Sequence, residues 1–192
     1  MRPQLNETLA RVVLISGFYT LMFFAVNRII FPLQKIIAPE TAPYAALIFL
    51  PHGVRVIATW LYREKAILPL LLAHLILYRL LYWNAGEPAL NMVAVLSGTL
   101  CVFITMQLFT VSRIDISLSN MTISHWRSLI LLGFVSSVFN TAGNMMAVGD
   151  VMGSDMHLKV IATFIIGDTL GTVGCLLLLM MGFRLHRFIQ KG

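Results

Sequence analysis

The chain has 192 residues, of which 58% are hydrophobic and 11% are charged, and its net charge is +6. Soluble domains carry about 25% charged residues, so this composition excludes a soluble globular enzyme, a disordered protein and a disulfide scaffold. The Lys and Arg residues are scattered without a cluster, which argues against binding to nucleic acid. The apolar runs exceed the ~9–11 residues of a membrane β-strand, and they predict an all-α, polytopic protein in a lipid bilayer.

Six apolar segments are each long enough to cross ~30 Å of hydrocarbon as a helix. They cover residues 9–30, 43–62, 66–84, 90–112, 127–148 and 157–184. We expect them to form a six-helix transmembrane bundle, with residues 1–192 as a single domain. Most Lys and Arg residues fall on one side if the N-terminus is inside. The positive-inside rule therefore predicts a plasma (inner) membrane protein with both termini in the cytoplasm.

The second span contains Pro51-His52-Gly53, and Arg55 follows His52 by three residues on the same helical face. Proline removes a backbone donor and crowds the preceding turn, so we expect this helix to be kinked or broken at Pro51–Gly53. A broken membrane helix exposes backbone groups that can bind a ligand or an ion. A kink without a ligand, with Arg55 as a buried structural residue, is the alternative interpretation.

Two later spans carry polar side chains that are costly to expose to lipid. His74, in the third span, is either a hydrogen-bonded packing residue or a group that titrates near neutral pH. The fifth span presents a stripe of small and polar residues on one face: Gly133, Ser137, Asn140 and Asn144. The two asparagines should either bond to neighbouring helices or line a polar cavity.

The sixth span contains Asp168 between Gly167 and Gly171, and Cys175 follows one turn later. Asp168 is the only acid deep inside a span, and Arg55 is the only Arg or Lys at a similar depth. We therefore predict that Arg55 and Asp168 pair in the bundle. The spacing of the small residues predicts close packing of a neighbouring helix, which is the usual role of this pattern.

These residues make up two predicted sets. The polar core, which is the candidate ligand site, consists of His52, Arg55, His74, Asn140, Asn144 and Asp168. The helix-packing set consists of Gly133, Ser137, Gly167, Gly171 and Cys175. The sequence contains no motif for a nucleophile, a bound nucleotide or a metal, and its five histidines are dispersed. We therefore expect no enzymatic activity, no metal and no cofactor.

The segment Phe49-Leu50-Pro51-His52-Gly53-Val54-Arg55-Val56-Ile57-Ala58, followed by Pro69, resembles part of the MASE1-type integral membrane sensory domains. The Gly167-Asp168-x-x-Gly171 pattern is similar to an element near the end of those domains. The resemblance implies a membrane module that senses a signal, usually joined to a kinase or cyclase output domain. We expect fewer spans and no such output domain in these 192 residues, so signalling would require a separate protein partner.

Two other functions fit the same sequence. Six spans and a mass of 21.5 kDa are similar to the substrate-binding component of energy-coupling-factor transporters, in which the polar core would bind a small molecule. In a structural or assembly subunit of a membrane complex, the polar residues would instead hold helices together. An intramembrane enzyme has the least support, because one aspartate without a paired catalytic group offers little chemistry.

Overall fold

The computed structural model describes residues 2–82, 88–114 and 125–190, and no β-strand occurs in these ranges. The α-helices are α1 Arg2–Ala25, α2 Phe31–Ile37, α3 Leu50–Tyr62, α4 Ile67–Leu77, α5 Pro88–Val111, α6 His125–Val148 and α7 His157–Ile189. A π-helical turn, Val26–Ile30, joins α1 to α2, and a second one, Tyr78–Tyr82, extends α4. The expected all-α class is thus confirmed for the described residues.

Four helical stretches are long and apolar enough to cross a membrane. They are Asn6–Ile37, Asn91–Val111, Trp126–Val148 and Ser154–Ile189, and they correspond to the first, fourth, fifth and sixth expected spans. The second and third expected spans contain the shorter helices α3 and α4, with 13 and 11 residues. The described residues therefore contain four membrane-length helices rather than the expected six.

The expected break at Pro51–Gly53 is wrong in its position. Helix α3 begins at Leu50, so Pro51 lies in the first turn, where a missing N–H group costs no helical hydrogen bond. From there the helix continues through Gly53 to Tyr62. The interruption lies ahead of α3, in the non-helical residues 38–49.

Helix α3 occupies the centre of the bundle. Nine of its 13 residues are buried, and it packs against α1, α5, α6 and α7. One apolar cluster joins α3 to α1 and α4 and includes Tyr19 and Leu70. A second cluster joins α3 to α5, α6 and α7 and includes Val102 and Leu132. The polar side chains of α3 must therefore find their partners within the protein.

Protein groups supply the hydrogen-bond partners that the non-helical segment 38–49 would not find in lipid. The Gln34 side chain is buried, donates to Ala45 O at 2.7 Å and accepts from the Leu47 N–H at 2.8 Å. The Phe49 N–H donates to Gly167 O of α7 at 2.9 Å. Irregular backbone at membrane depth is tolerated where protein groups satisfy it in this way.

Small residues of α7 allow that segment and the start of α3 to lie directly on the helix. A Cβ atom at Gly167 would overlap Ala46 O, and one at Gly171 would overlap Phe49 O. Cys175 Sγ lies 3.2 Å from Leu50 O, to which it donates. The sequence led us to expect a helix against this surface, whereas much of the neighbour is irregular backbone.

The other two residues of the packing set lie on α6. A Cβ atom at Gly133 would come within 2.6 Å of Thr172 Oγ1 on α7, so the glycine permits close approach of these two helices. Ser137 is fully buried, and its hydroxyl donates to Phe134 O of its own helix at 2.6 Å.

Candidate ligand-binding site

Arg55 lies at the centre of the bundle with 2% of its surface exposed. Its Nη1 donates to Gly98 O on α5 and to Asn140 Oδ1 on α6, each at 3.1 Å. The Phe49 ring lies 5.4 Å from the guanidinium carbon, within cation–π distance. Nε is buried and has no hydrogen-bond partner in the described part of the chain. The guanidinium is thus held from two helices while one of its donors stays unused.

Asp168, which is 1% exposed, is linked to Arg55 by hydrogen bonds through another side chain. Asn140 Nδ2 donates to Asp168 Oδ2 at 2.6 Å, and Asn140 Oδ1 accepts from Arg55. The ion pairs found in the described ranges do not include an Arg55–Asp168 pair. The predicted pair is therefore wrong as a direct contact, although both residues lie in one cluster and their opposite charges interact there. Asn140 occupies the position between them and bonds to both.

His52 lies on the other side of Asp168 and is fully buried. Its Nε2 is 3.0 Å from both Gly133 O and Ser136 Oγ on α6. Its Nδ1 is 3.3 Å from Asp168 Oδ2 but makes no hydrogen bond there or elsewhere in the described residues. The three residues His52, Asp168 and Arg55 thus come together from α3 and α7, with Asn140 of α6 connecting two of them.

His74 occupies a site with hydrogen bonds to both ring nitrogens. Nδ1 donates to Leu70 O at 2.8 Å, so Nε2 accepts from the Tyr19 hydroxyl at 2.9 Å. A Cβ atom at Gly98 would lie 2.8 Å from His74 Nε2 and 3.3 Å from Arg55 Nη1. Because glycine has no Cβ, α5 can accept both side chains beside its backbone.

Asn144 extends the cluster along α6 by one turn. Its Nδ2 donates to Asn140 O at 2.8 Å and to Asn140 Oδ1 at 3.1 Å. Asn140 Oδ1 therefore accepts from both Arg55 and Asn144, which fixes the orientation of the Asn140 amide. The sequence left open whether these asparagines bond to neighbours or line a cavity, and their positions meet both descriptions.

A cavity of about 300 Å³ lies next to this cluster. Its polar surface includes Asn91, Tyr19 and five of the six predicted core residues: Arg55, His74, Asn140, Asn144 and Asp168. Its other walls are mainly apolar and include the aromatic side chains of Phe23, Phe31, Tyr44, Phe49, Tyr78 and Phe164. An apolar cavity with a few convergent polar groups is the usual form of a small-molecule site, and this volume is at the low end of the range.

Several residues that build the site did not stand out in the sequence. Gly98 is one small residue within an apolar helix, and Gln34 belongs to a segment that resembles a surface helix. Tyr19 is one of five tyrosines in the chain. A polar residue such as Gln34 beside a non-helical stretch is a usable signal, because such backbone needs partners in a membrane.

Comparisons with protein-family models, with curated proteins and with solved structures found no match to this chain.

Proposed function

We propose that this protein binds a small solute in the cavity beside Arg55, as a solute-binding or transport subunit of the membrane. One observation carries the proposal: polar side chains from α3, α4, α6 and α7 converge on a cavity that is otherwise largely apolar. A subunit with a purely structural role has no need for such a space, since interiors pack closely and voids cost stability.

We also propose a topology for the protein in the membrane. The segment 38–49 and α3 together make the second crossing, and α4 with its π-helical turn makes the third, which gives six crossings in all. The excess of Lys and Arg on one side favours a plasma (inner) membrane protein with both termini in the cytoplasm. On this topology the C-terminal end of α6, where Ala147 and Val148 line the cavity, faces the outer side. Solute would then enter from outside the cell.

A sensor-like module, as the MASE1-type resemblance implies, is the second candidate. The observation that favours it is the length of α7, whose 33 residues correspond to about 50 Å. This helix carries Asp168 beside the cavity and continues to an exposed end that includes Arg184 and Arg187. A displacement of α7 on ligand binding would be transmitted to a separate protein partner at the cytoplasmic surface.

The test of ligand binding is native mass spectrometry of the protein purified in a mild detergent. Wild-type protein should carry co-purified small molecules, and Ala147→Phe, which fills part of the cavity, should lose them. Ala142→Phe is the matched control, because Ala142 lies on the same helix but is exposed. If Ala147→Phe keeps the same molecules as Ala142→Phe, the cavity is not the binding site.

Uptake into proteoliposomes separates the two candidate functions. A transport subunit, supplied with its energy-coupling partner, should move the co-purified molecule across the bilayer. A sensor should bind the molecule without transport and should co-purify with a signalling protein instead.

A further inference from the structure

We propose that the ligand of this cavity is a small organic anion, and that one proton binds between His52 and Asp168 for each anion that binds. The inference rests on the proposed function, since it names the class of solute and the ion that accompanies it.

The position of one proton on His52 is set by its neighbours. Gly133 O is a carbonyl oxygen and only accepts, and the Ser136 hydroxyl already donates to it at 3.0 Å. Nε2 lies 3.0 Å from both oxygens, and its contact with Gly133 O is a hydrogen bond when Nε2 carries the hydrogen and donates. In the neutral ring Nδ1 then presents a lone pair to Asp168 Oδ2 at 3.3 Å. Two lone pairs face each other, and a single proton would join them.

The buried charges determine whether the ligand that binds together with this proton is an anion or a cation. Without it, Arg55 and Asp168 carry opposite charges and the cluster is neutral. An anion bound beside Arg55 leaves a net negative charge in the interior, which is costly, and a proton taken up by His52 or Asp168 restores neutrality. A cation would leave a net positive charge, and arginine cannot release a proton to compensate. The cluster can therefore adjust to an anion but not to a cation.

The other titratable side chains around the cluster do not change this count. Tyr19 of α1 donates to His74 of α4, and both His74 nitrogens are engaged in the described structure. Cys101 of α5 lies 3.7 Å from Arg55 Nη1, and Cys175 of α7 donates to Leu50 O. Helix α6 contributes Ser136 and Asn140, neither of which titrates. His52 and Asp168 are therefore the groups that can accept the added proton.

Asn140 couples the proton to the anion. Its amide lies between the guanidinium and the carboxylate, so Asp168 gains stability from the charge of Arg55. An anion in the cavity competes for that charge and makes Asp168 a stronger proton acceptor. The aromatic walls, which include Phe23 and Phe164, favour an anion with an apolar or aromatic body over a bare inorganic ion.

The experiment uses three probes of similar shape, which are benzoate, benzamide and benzylammonium. Calorimetric titration of the full chain in detergent, in two buffers with different ionisation enthalpies, counts the protons bound with each probe. We expect benzoate to bind with uptake of one proton. Its affinity should then fall about tenfold for each pH unit above the range in which the free site binds that proton. Benzylammonium should not bind.

Two substitutions test the proton site itself. In Asp168→Asn the charge of Arg55 is permanently uncompensated, so benzoate should bind without proton uptake and without this pH dependence. Infrared difference spectra of the wild type should show a protonated carboxylic acid or an imidazolium on benzoate binding, and Asp168→Asn should show neither. If Asp168→Asn does not fold, His52→Gln offers a second variant, which retains an N–H donor towards Gly133 O and should alter the proton uptake.

The possible outcomes separate this inference from the proposed function. Benzamide or benzylammonium could bind to the wild type but not to Ala147→Phe, while benzoate does not bind at all. In that case the cavity is a ligand site, but the anion inference is wrong. Benzoate binding without proton uptake in the wild type also overturns it. If none of the three probes binds, the inference fails as well, and native mass spectrometry of co-purified molecules decides the proposed function independently.

Discussion

The two histidines beside Arg55 look alike in the sequence but have opposite surroundings in the structure. His74 has a partner for each ring nitrogen, Leu70 O for one and the Tyr19 hydroxyl for the other. His52 has partners for Nε2 only, and its Nδ1 faces Asp168 at 3.3 Å without a hydrogen bond. His74 lines the cavity, whereas His52 is fully buried behind it.

The two histidines thus differ in whether each ring nitrogen has a hydrogen-bond partner among the described residues. A ring with partners for both nitrogens, such as His74, positions helices α1, α4 and α5 relative to one another. A ring with one unused nitrogen beside a carboxylate can take up a proton when the charge nearby changes. We therefore expect changes near His74 to affect mainly stability, and changes near His52 and Asp168 to affect stability and proton binding together.

The largest effect should come from Asp168→Ala. This substitution leaves the buried Arg55 without the charge that compensates it through Asn140, and an uncompensated buried charge costs about 3–5 kcal/mol in the free energy of unfolding. Glu40→Ala is the control, because it also removes a carboxylate that lies near a cation. Glu40 Oε2 is 2.7 Å from Lys159 Nζ, but both side chains are exposed. That variant should hardly change stability. Equal losses in detergent unfolding experiments would show that Arg55 does not depend on Asp168.

Gly98→Ala should destabilise the His74 side of the cluster. The added Cβ would come within 2.8 Å of His74 Nε2 and would displace the ring from the Tyr19 hydroxyl. Overpacking of this kind costs about 1–3 kcal/mol. Gly182→Ala is the matched control on α7, since nothing lies within 4 Å of its Cβ position. Thermal unfolding of both variants tests the contrast, which a tolerated Gly98→Ala would contradict.

A double-mutant cycle measures the coupling through Asn140. Arg55→Ala and Asp168→Ala together should destabilise the protein less than the sum of the two single changes, with a coupling of about 0.5–3 kcal/mol. Repeating the cycle with Asn140→Ala in every protein should reduce that coupling, because the amide between the two charges is gone. Strict additivity in the original cycle would mean that the two residues do not interact.

The smallest effect is expected for Tyr19→Phe, which makes His74 more similar to His52. Loss of the hydroxyl removes the hydrogen bond to Nε2, and such bonds between membrane helices contribute about 0.6 kcal/mol on average. Tyr62→Phe serves as a control, since Tyr62 is exposed. Benzoate-linked proton uptake should remain at the wild-type value in both variants. A change in proton uptake in Tyr19→Phe would show that the proton binds near His74 and not between His52 and Asp168.

Much of the site could be predicted from residue type and depth. Arg55 and Asp168 are expensive to bury, and their similar depths predicted that they would meet in the bundle. The same reasoning could not anticipate Asn140 between them, because periodicity specifies the face of a helix but not the neighbour across it. The break ahead of α3 was misplaced for a related reason. Proline fits a first turn as well as it disrupts an interior one, and only the hydrogen bonds of Gln34 and Gly167 show which applies.

The sequence by itself determined the all-helical membrane class, four of the long helices and the set of polar residues that had to be accommodated inside. These properties follow from composition and local periodicity, which act over one or two turns of chain. Only the tertiary structure decided that segment 38–49 lies on α7, that Asn140 joins Arg55 to Asp168, and that His52 rather than His74 keeps a nitrogen unused. The physical reason is that hydrogen-bond partners such as His52 and Gly133 are 81 residues apart, so their meeting depends on how the helices pack.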